Sequence, residues 1–191
     1  MEPRLVLASA SPRRASILRG LGILFRVAVS GVDESLLAGE SGAATAERLA
    51  RAKAASVVES GGLPVLGADT VVVCDGAILG KPESAEDAAR MLRLLSGRTH
   101  EVVTGVALAA AGTLRSGIEQ TDVRFASLSE AQIAWYIATG EARDKAGAYH
   151  VDGSGAAFIE SLSGSPSNVA GLPVRLVLRL AREAGLVLGP P

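Results

Sequence analysis

The sequence has little cysteine and few aromatic residues. Cys74 is the single cysteine among 191 residues, which excludes an intramolecular disulfide and a metal site built from several cysteines, and which is typical of a reducing compartment. Aromatic side chains make up only 3% of the chain, so we expect no stacking platform for the bases of a single-stranded nucleic acid. We predict a cytoplasmic protein whose core consists mainly of Ala, Leu, Val and Ile.

Long hydrophobic runs and blocks of like charge are also absent. No apolar stretch reaches the roughly 18 residues that a membrane span requires, and the N-terminal residues do not resemble a secretory signal. The formal net charge is -1, so neither a nucleic acid nor a membrane surface is an expected partner. A small molecule is therefore the expected class of ligand. The length predicts one domain over residues 1–191.

Lysine and histidine are scarce as well. Lys53, Lys81 and Lys145 are the only lysines among 19 basic residues, and each adjoins an unusual stretch of sequence. Two readings stay open: lysine is kept where a compact point charge is needed, or the three positions have arisen by chance. The two histidines, His100 and His150, stand apart in the sequence, so neither a zinc site nor a histidine-based triad is expected.

Turn residues, helix caps and hydrophobic periodicity divide the chain into strands and helices. Predicted strands cover residues 4–8, 25–30, 63–76, 100–110 and 113–128, with a hairpin turn at Asp75-Gly76. Predicted helices begin after Ser11, Ser84 and Ser129 and cover residues 45–60 and 172–184. Residues 144–168 are irregular and rich in glycine, which is typical of a working loop. The order of these elements predicts a mixed α/β fold with a long central sheet flanked by helices.

The stretch "LASASPRR", residues 7–14, joins the first strand to the first helix. Ser11 and Pro12 are typical of a helix N-cap and of the first helical position. Arg13 and Arg14 follow at once, and guanidinium donors beside the free N–H groups of a helix N-terminus match the oxygens of a phosphate. The two arginines therefore either bind an anion such as a triphosphate or face water on a solvated helix.

Asp69 lies within an apolar strand, where a buried carboxylate is costly unless it is paired, hydrogen-bonded or bound to a metal. Its candidate partners are Lys53, Lys81 and a divalent ion such as Mg²⁺. The alternative is a strand that ends at Asp69 and emerges into solvent. Asp33 and Glu34 lie in a loop and are candidate metal ligands together with Asp69, although loop acids are commonly only solvated.

Seven stretches have the form and order found in one protein family. They are "LASASPRR", "VDE", "LARAKA", "GADTVVVCDGAILGKP", "MLRLLSGRTHEVVTGV", "DKAGAY" and "GLPV", and they span nearly the whole chain. Together they resemble the Maf family of nucleoside triphosphate pyrophosphatases. The resemblance implies an α/β fold related to the inosine triphosphate pyrophosphatases, with two lobes and a cleft, often as a homodimer. It implies hydrolysis of a nucleoside triphosphate to the monophosphate and diphosphate with Mg²⁺ or Mn²⁺, in order to remove unwanted nucleotides.

The resemblance also implies roles for matching residues. Asp69 corresponds to the proton acceptor, and we predict Asp69 and Glu34 as the metal ligands. The residues implied to assist catalysis or to bind the substrate are Ser9, Arg13, Arg14, Glu34, Lys53 and Lys81. Thr70 and Asp152 fall on positions that select the substrate. The chain resembles the dTTP/UTP type at Arg13 and Thr70 but has Asp152 where that type has glutamine, and Lys145 matches without an implied role.

The substitution at Asp152 changes the expected base preference. An ionised aspartate only accepts hydrogen bonds, whereas a glutamine amide both donates and accepts. The resemblance therefore implies more activity on guanine nucleotides than the dTTP/UTP type has. A function of another class also stays open, that of a non-catalytic regulator of cell division, because the family was first associated with inhibition of septum formation. The intact set of Asp69, Arg13 and two lysines favours catalysis.

Overall fold

The computed structural model describes residues 2–58 and 62–189. In these residues seven strands form one sheet: β1 (Leu5–Leu7), β2 (Phe25–Val27), β3 (Val65–Cys74), β4 (Ala77–Leu79), β5 (Thr99–Ala110), β6 (Thr113–Phe125) and β7 (Ile159–Ser163). The helices are α1 (Pro12–Gly20), α2 (Gly42–Ser56), α3 (Ala85–Leu95), α4 (Glu130–Ala138), α5 (Pro166–Val169) and α6 (Val174–Glu183). Short 3-10 turns lie at Ala146–Ala148 and Ser154–Phe158. None of the helices in this part of the chain is long and apolar enough to cross a membrane.

The sheet is mixed, with the strand order β2-β1-β3-β5-β6-β7. β1 is parallel to β2 and β3, whereas each of the pairs β3 and β5, β5 and β6, and β6 and β7 is antiparallel. Ala111 and Gly112 join the two longest strands, β5 and β6, with φ angles of 48° and 74°. Two positive φ angles suit the two-residue turn of a twisted hairpin. The predicted long central mixed sheet is confirmed.

One edge of β3 pairs with two different strands along its length. β1 pairs with residues 65–66 of β3, and β4 pairs with residues 72–74. On this side the described strands leave residues 67–71 unpaired, and we call this segment the sheet gap. Asp69 and Thr70 lie in the sheet gap, and they point to opposite faces because side chains alternate along a strand.

Helices cover both faces of the sheet. On one face α2 packs through Ala50 and Ala54, whose small side chains allow a close approach. On the other face α1 and α6 pack around Leu18 and Leu180. A third cluster, next to α3 and α4, contains most of the chain's aromatic side chains. The two faces of the sheet gap therefore meet different helices.

Several predicted elements differ in their bounds, among them the strand predicted over residues 113–128, which ends at Phe125. The strand predicted over residues 25–30 ends at Val27, where its pairing with the three-residue β1 also ends. The helix predicted over residues 45–60 begins earlier, because Ser41 acts as its N-cap and accepts a hydrogen bond from the Ala44 N–H. It ends at Ser56, and the last two residues of that prediction lie outside the described residues.

The segment predicted to be an irregular loop, residues 144–168, contains regular structure. Residues 159–163 form β7 because they extend the sheet beside β6. Ser165 caps the short helix α5 by accepting a hydrogen bond from the Asn168 N–H. The predicted caps of α1, α3 and α4 are confirmed, the last as a reciprocal capping box between Ser129 and Gln132.

Candidate active site

Four side chains of alternating charge form a chain on the α2 face of the sheet gap. Lys53 Nζ lies 2.6 Å from Asp69 Oδ1 and 2.6 Å from Glu34 Oε1. The other oxygen of Glu34, Oε2, accepts a hydrogen bond from Lys81 Nζ at 3.0 Å. Asp69 and Lys53 are only 7% and 5% exposed, so water is largely excluded from their ion pair. Of the alternatives for Asp69, the structure shows Lys53 as its direct partner, and β3 continues well beyond Asp69.

Two glycines allow Lys53 to reach Asp69. A Cβ atom on Gly67 would lie 2.3 Å from the Ala50 carbonyl oxygen, and one on Gly105 would lie 2.2 Å from the Ala46 carbonyl oxygen. These distances are far below normal contact, so α2 lies against the strands at backbone distance only because both residues lack a side chain. Gly105 is also the partner of Asp69 in the β3–β5 register.

Glu34 connects the buried and exposed parts of this chain of charges. Partial burial raises the pKa of its carboxyl, but hydrogen bonds and charges from Lys53 and Lys81 outweigh burial and hold that pKa below its usual value. Asp69 and Glu34 thus direct one oxygen each at the same ammonium nitrogen. Carboxylate oxygens are the protein ligands that Mg²⁺ prefers, with phosphate oxygens and water completing its shell. The pair fits such an ion, although no group of three or more His, Cys, Asp or Glu side chains in the described residues could hold one unaided.

Arg14 is buried on the opposite face of the sheet gap. Its guanidinium donates to the Gly171 carbonyl oxygen at 2.8 Å, to Ser9 Oγ at 3.1 Å and to Thr70 Oγ1 at 3.0 Å. Ser9 Oγ also accepts a hydrogen bond from the Ser11 N–H. Arg14 therefore ties the start of α1 to β3 and to the segment before α6. Direct binding of a phosphate by Arg14 stays a prediction.

Arg13 is placed differently from its neighbour. Among the described residues its guanidinium has no hydrogen-bond or ion-pair partner. Burial lowers its pKa, and the nearby Asp152 carboxylate is the strongest opposing charge. Burial also lowers the pKa of Lys145, and the charges of Arg13 and Lys81 lower it further. Arg13, Lys81 and Lys145 thus lie within electrostatic range of one another, with the acidic side chains of Asp144 and Glu141 also in range of Lys145.

Asp152 lies in an exposed turn that is anchored at both ends. Before it, the His150 N–H donates to the Tyr136 hydroxyl at 2.9 Å. After it, the N–H and hydroxyl of Ser154 donate to the two oxygens of Glu141 at 2.8 and 2.9 Å. These bonds fix the turn next to the cluster that contains Tyr136. A role of Asp152 in base selection stays a prediction.

The structure brings most of the predicted site residues together in two groups. Those on the α2 face are Asp69, Lys53, Glu34 and Lys81, and those on the other face are Ser9, Arg14 and Thr70. Asp33 does not join either group, since its Oδ1 accepts hydrogen bonds from the N–H and hydroxyl of Ser35 in an exposed turn. His100 is buried against Tyr149, with its Nε2 3.0 Å from the hydroxyl oxygen.

Sequence reasoning missed four residues that support the site. Gly67 and Gly105 have a recognisable signal, because a glycine inside an apolar strand indicates a close backbone approach. Thr104 and Asn168 have none, because their hydrogen bonds join segments far apart in the chain. Thr104 Oγ1 contacts Thr70 Oγ1 at 2.9 Å, and Asn168 Nδ2 donates to the Val102 carbonyl oxygen at 2.9 Å.

The fold and the site define a class of protein: a mixed α/β protein with a buried carboxylate–ammonium pair in a sheet gap and further cationic side chains around it. The profile of the family described as Maf-like protein matches residues 4–184. The chain belongs to the Maf family, as its motifs indicate.

Relatives from several bacteria are similar over almost their whole length. A protein of Anaeromyxobacter dehalogenans named dTTP/UTP pyrophosphatase is 50% identical over 192 residues, which cover 98% of this chain and 97% of the relative. Proteins of the same name from Symbiobacterium thermophilum and Chromobacterium violaceum are 50% and 48% identical, and the aligned residues cover 95% and 98% of this chain and 94% and 98% of theirs.

Solved structures give only a weak likeness. The Nucleoside-triphosphatase / dITP/XTP pyrophosphatase of Mycobacterium abscessus has a TM-score of 0.46 and 18% identity, covering 95% of both chains. The Ham1 protein of Staphylococcus aureus has a TM-score of 0.47 and 13% identity, covering 63% of this chain and 71% of its own.

Proposed function

We propose that this protein is a nucleoside triphosphate pyrophosphatase, which hydrolyses a (deoxy)nucleoside triphosphate to the monophosphate and diphosphate. The observation that carries the proposal is the buried ion pair of Asp69 and Lys53 in the sheet gap, which Glu34 extends to Lys81. A carboxylate among several cations suits the attack of water on a phosphate. The names of the relatives support the same reaction.

The proposed reaction is a direct displacement at the α-phosphorus. The oxygen of a water molecule forms a bond to the α-phosphorus, the bond from this phosphorus to the oxygen bridging the β-phosphorus breaks, and diphosphate leaves. Asp69 accepts the proton of the water. Lys53, Lys81 and Arg13 stabilise the negative charge on the phosphate oxygens and on the leaving group. No covalent intermediate is required.

A divalent ion, Mg²⁺ or Mn²⁺, fits this site as a cofactor. Asp69 and Glu34 would hold it, because their carboxylates already converge on one positive charge. When bound, the ion neutralises charge on the phosphate oxygens. Lys53 keeps the two carboxylates oriented, and Lys81 holds the outer oxygen of Glu34.

The finer features follow from the family and from the site. We propose dTTP and UTP among the substrates, from the relatives' names and the match at Arg13 and Thr70, with broader use of guanine nucleotides because of Asp152. A single domain, a homodimer, a cytoplasmic location and removal of unwanted nucleotides complete the proposal. A non-catalytic role in cell division is not favoured, because an ion pair as buried as that of Asp69 and Lys53 is costly without a function.

The direct test incubates the purified protein with each common ribo- and deoxynucleoside triphosphate and Mg²⁺ or Mn²⁺. We expect equal amounts of diphosphate and monophosphate. In the variant Asp69→Asn, which removes the proton acceptor, turnover falls by at least about 10²-fold, while the far-ultraviolet circular dichroism stays unchanged. Absence of diphosphate with every triphosphate contradicts the proposed function, and near-wild-type turnover of a folded Asp69→Asn protein removes Asp69 from the mechanism.

A further inference from the structure

A hydrogen-bonded chain of side chains crosses the face of the sheet gap opposite Asp69. Arg14 Nη2 donates to Thr70 Oγ1 at 3.0 Å. Thr70 Oγ1 lies 2.9 Å from the hydroxyl of Thr104, its partner in the β3–β5 register. Thr104 Oγ1 donates in turn to the backbone carbonyl oxygen of Asn168 at 3.2 Å. The chain thus connects α1, two adjacent strands and α5.

The hydrogen-bond network assigns a direction to the protons of this chain, because each threonine hydroxyl has only one proton to donate. A carbonyl oxygen cannot donate, so the single proton of the Thr104 hydroxyl points to Asn168. In the contact between the two threonines, Thr70 must therefore be the donor. Arg14 has no acceptor atom and occupies one lone pair of Thr70 Oγ1. Thr70 retains one lone pair and no proton for any further partner.

Thr70 is also partly open to solvent, unlike the residues next to it in β3. It is the only partly exposed residue of β3 between Val65 and Val72. It follows the buried Asp69 directly, at the part of the strand that the described neighbours leave unpaired. Thr104 itself is fully buried, so it acts on a ligand only through Thr70.

We infer that Thr104 is a positioning residue for base selection: by accepting the Thr70 proton it makes Thr70 an acceptor only, which suits bases with a ring N–H. Uracil, thymine and guanine carry such a donor, whereas cytosine and adenine have an unprotonated ring nitrogen at the corresponding edge. This inference rests on the proposed function and deepens it, because it names the group of the base that the site selects.

The test measures kcat/KM for UTP and CTP, which differ at this edge and share ribose and phosphates. We expect the wild type to prefer UTP. Thr104→Val keeps a similar shape but removes the acceptor, so the Thr70 proton is free to serve cytosine. The ratio of kcat/KM for UTP to kcat/KM for CTP then falls about 10-fold, chiefly because kcat/KM for CTP rises. A purely structural effect would lower both rates together.

Two further variants serve as matched controls. Thr104→Ser keeps the hydroxyl and should keep the wild-type ratio. Thr121→Val removes another buried hydroxyl that bonds to Asn168, since Asn168 Nδ2 donates to Thr121 Oγ1 at 2.9 Å, but Thr121 has no contact with Thr70 among the hydrogen bonds of the described residues. It should lower stability without changing the ratio. If Thr104→Val does not fold, Thr70→Val replaces it, with the same expected fall of the ratio through loss of the acceptor.

The outcomes separate this inference from the proposed function. A wild type that hydrolyses CTP as well as UTP, or a ratio unchanged in folded Thr104→Val, overturns the role of Thr104 while leaving the pyrophosphatase intact. If no triphosphate is hydrolysed, the proposed function fails, and the inference is then decided by the dissociation constants of UMP and CMP measured by calorimetry. In calorimetry, equal affinity of the wild type for UMP and CMP overturns the role of Thr104.

Discussion

The substitution Gly105→Ala tests the idea that backbone contact between α2 and the sheet positions the ion pair of Lys53 and Asp69. The added methyl group would lie 2.2 Å from the Ala46 carbonyl oxygen and 2.6 Å from the Glu47 nitrogen. Both are backbone atoms of α2, so no rotation of a side chain relieves the contact. The helix must move away from β5 by roughly 1 Å to restore a normal separation.

The size of the effect follows from the position of Lys53 on the same helix. Overpacking of this kind costs about 1 to 3 kcal/mol of unfolding free energy. Lys53 Nζ moves with α2 and lies only 2.6 Å from both Asp69 Oδ1 and Glu34 Oε1. A displacement of about 1 Å in a catalytic group costs about 10²-fold in rate. We therefore expect a larger loss of turnover than the loss of stability alone explains.

The assay combines urea unfolding with the rate of diphosphate release at a temperature where both proteins are folded. Gly117→Ala is the matched control, because Gly117 also lies in a long strand but an added Cβ there meets only the ends of the Leu176 and Arg179 side chains, at 3.2 and 3.3 Å. We expect the control to be close to wild type. Wild-type stability and turnover in Gly105→Ala would refute the view that this close approach positions Lys53.

Three further predictions concern the substrate and the pH. Lys53→Ala and Lys81→Ala should each lower kcat/KM on all triphosphates alike, because phosphates carry no base identity; a changed ranking of bases in steady-state assays contradicts the assigned role. Asp152→Gln should raise the ratio of kcat/KM for UTP to that for GTP, and an unchanged ratio contradicts base reading by Asp152. Burial lowers the pKa of His100 to about 4, whereas its pKa in the unfolded chain is about 6.5. As the pH falls from 6.5 toward 4, the unfolded chain binds a proton at this residue that the folded protein does not bind, so the free energy of unfolding decreases. In urea unfolding, the free energy of unfolding should therefore decrease between pH 7 and pH 4 by about 3 kcal/mol more in the wild type than in His100→Gln. Equal decreases in both proteins contradict the burial argument.

Features that depend on a few neighbouring residues were readable from the sequence. The caps at Ser11, Ser84 and Ser129 and the turn at Asp75-Gly76 follow from hydrogen bonds and φ angles within about four residues. The need of Asp69 for a cation was also readable, because an acidic residue inside an apolar strand has few acceptable environments. The family followed from several such motifs in a fixed order, and the family profile confirms it.

Only the tertiary structure decided which groups meet. From the sequence, Lys53 and Lys81 were both candidate ion-pair partners of Asp69. Lys53 makes the direct contact because α2 packs closely against Gly67 and Gly105. Arg13 and Arg14 are adjacent, yet the helical rotation of about 100° between neighbours buries Arg14 and leaves Arg13 partly exposed. Thr104 reaches Asn168 across 64 positions of the chain. Such contacts have no local signal, because the distance between two remote residues is set only when every intervening strand and helix has packed.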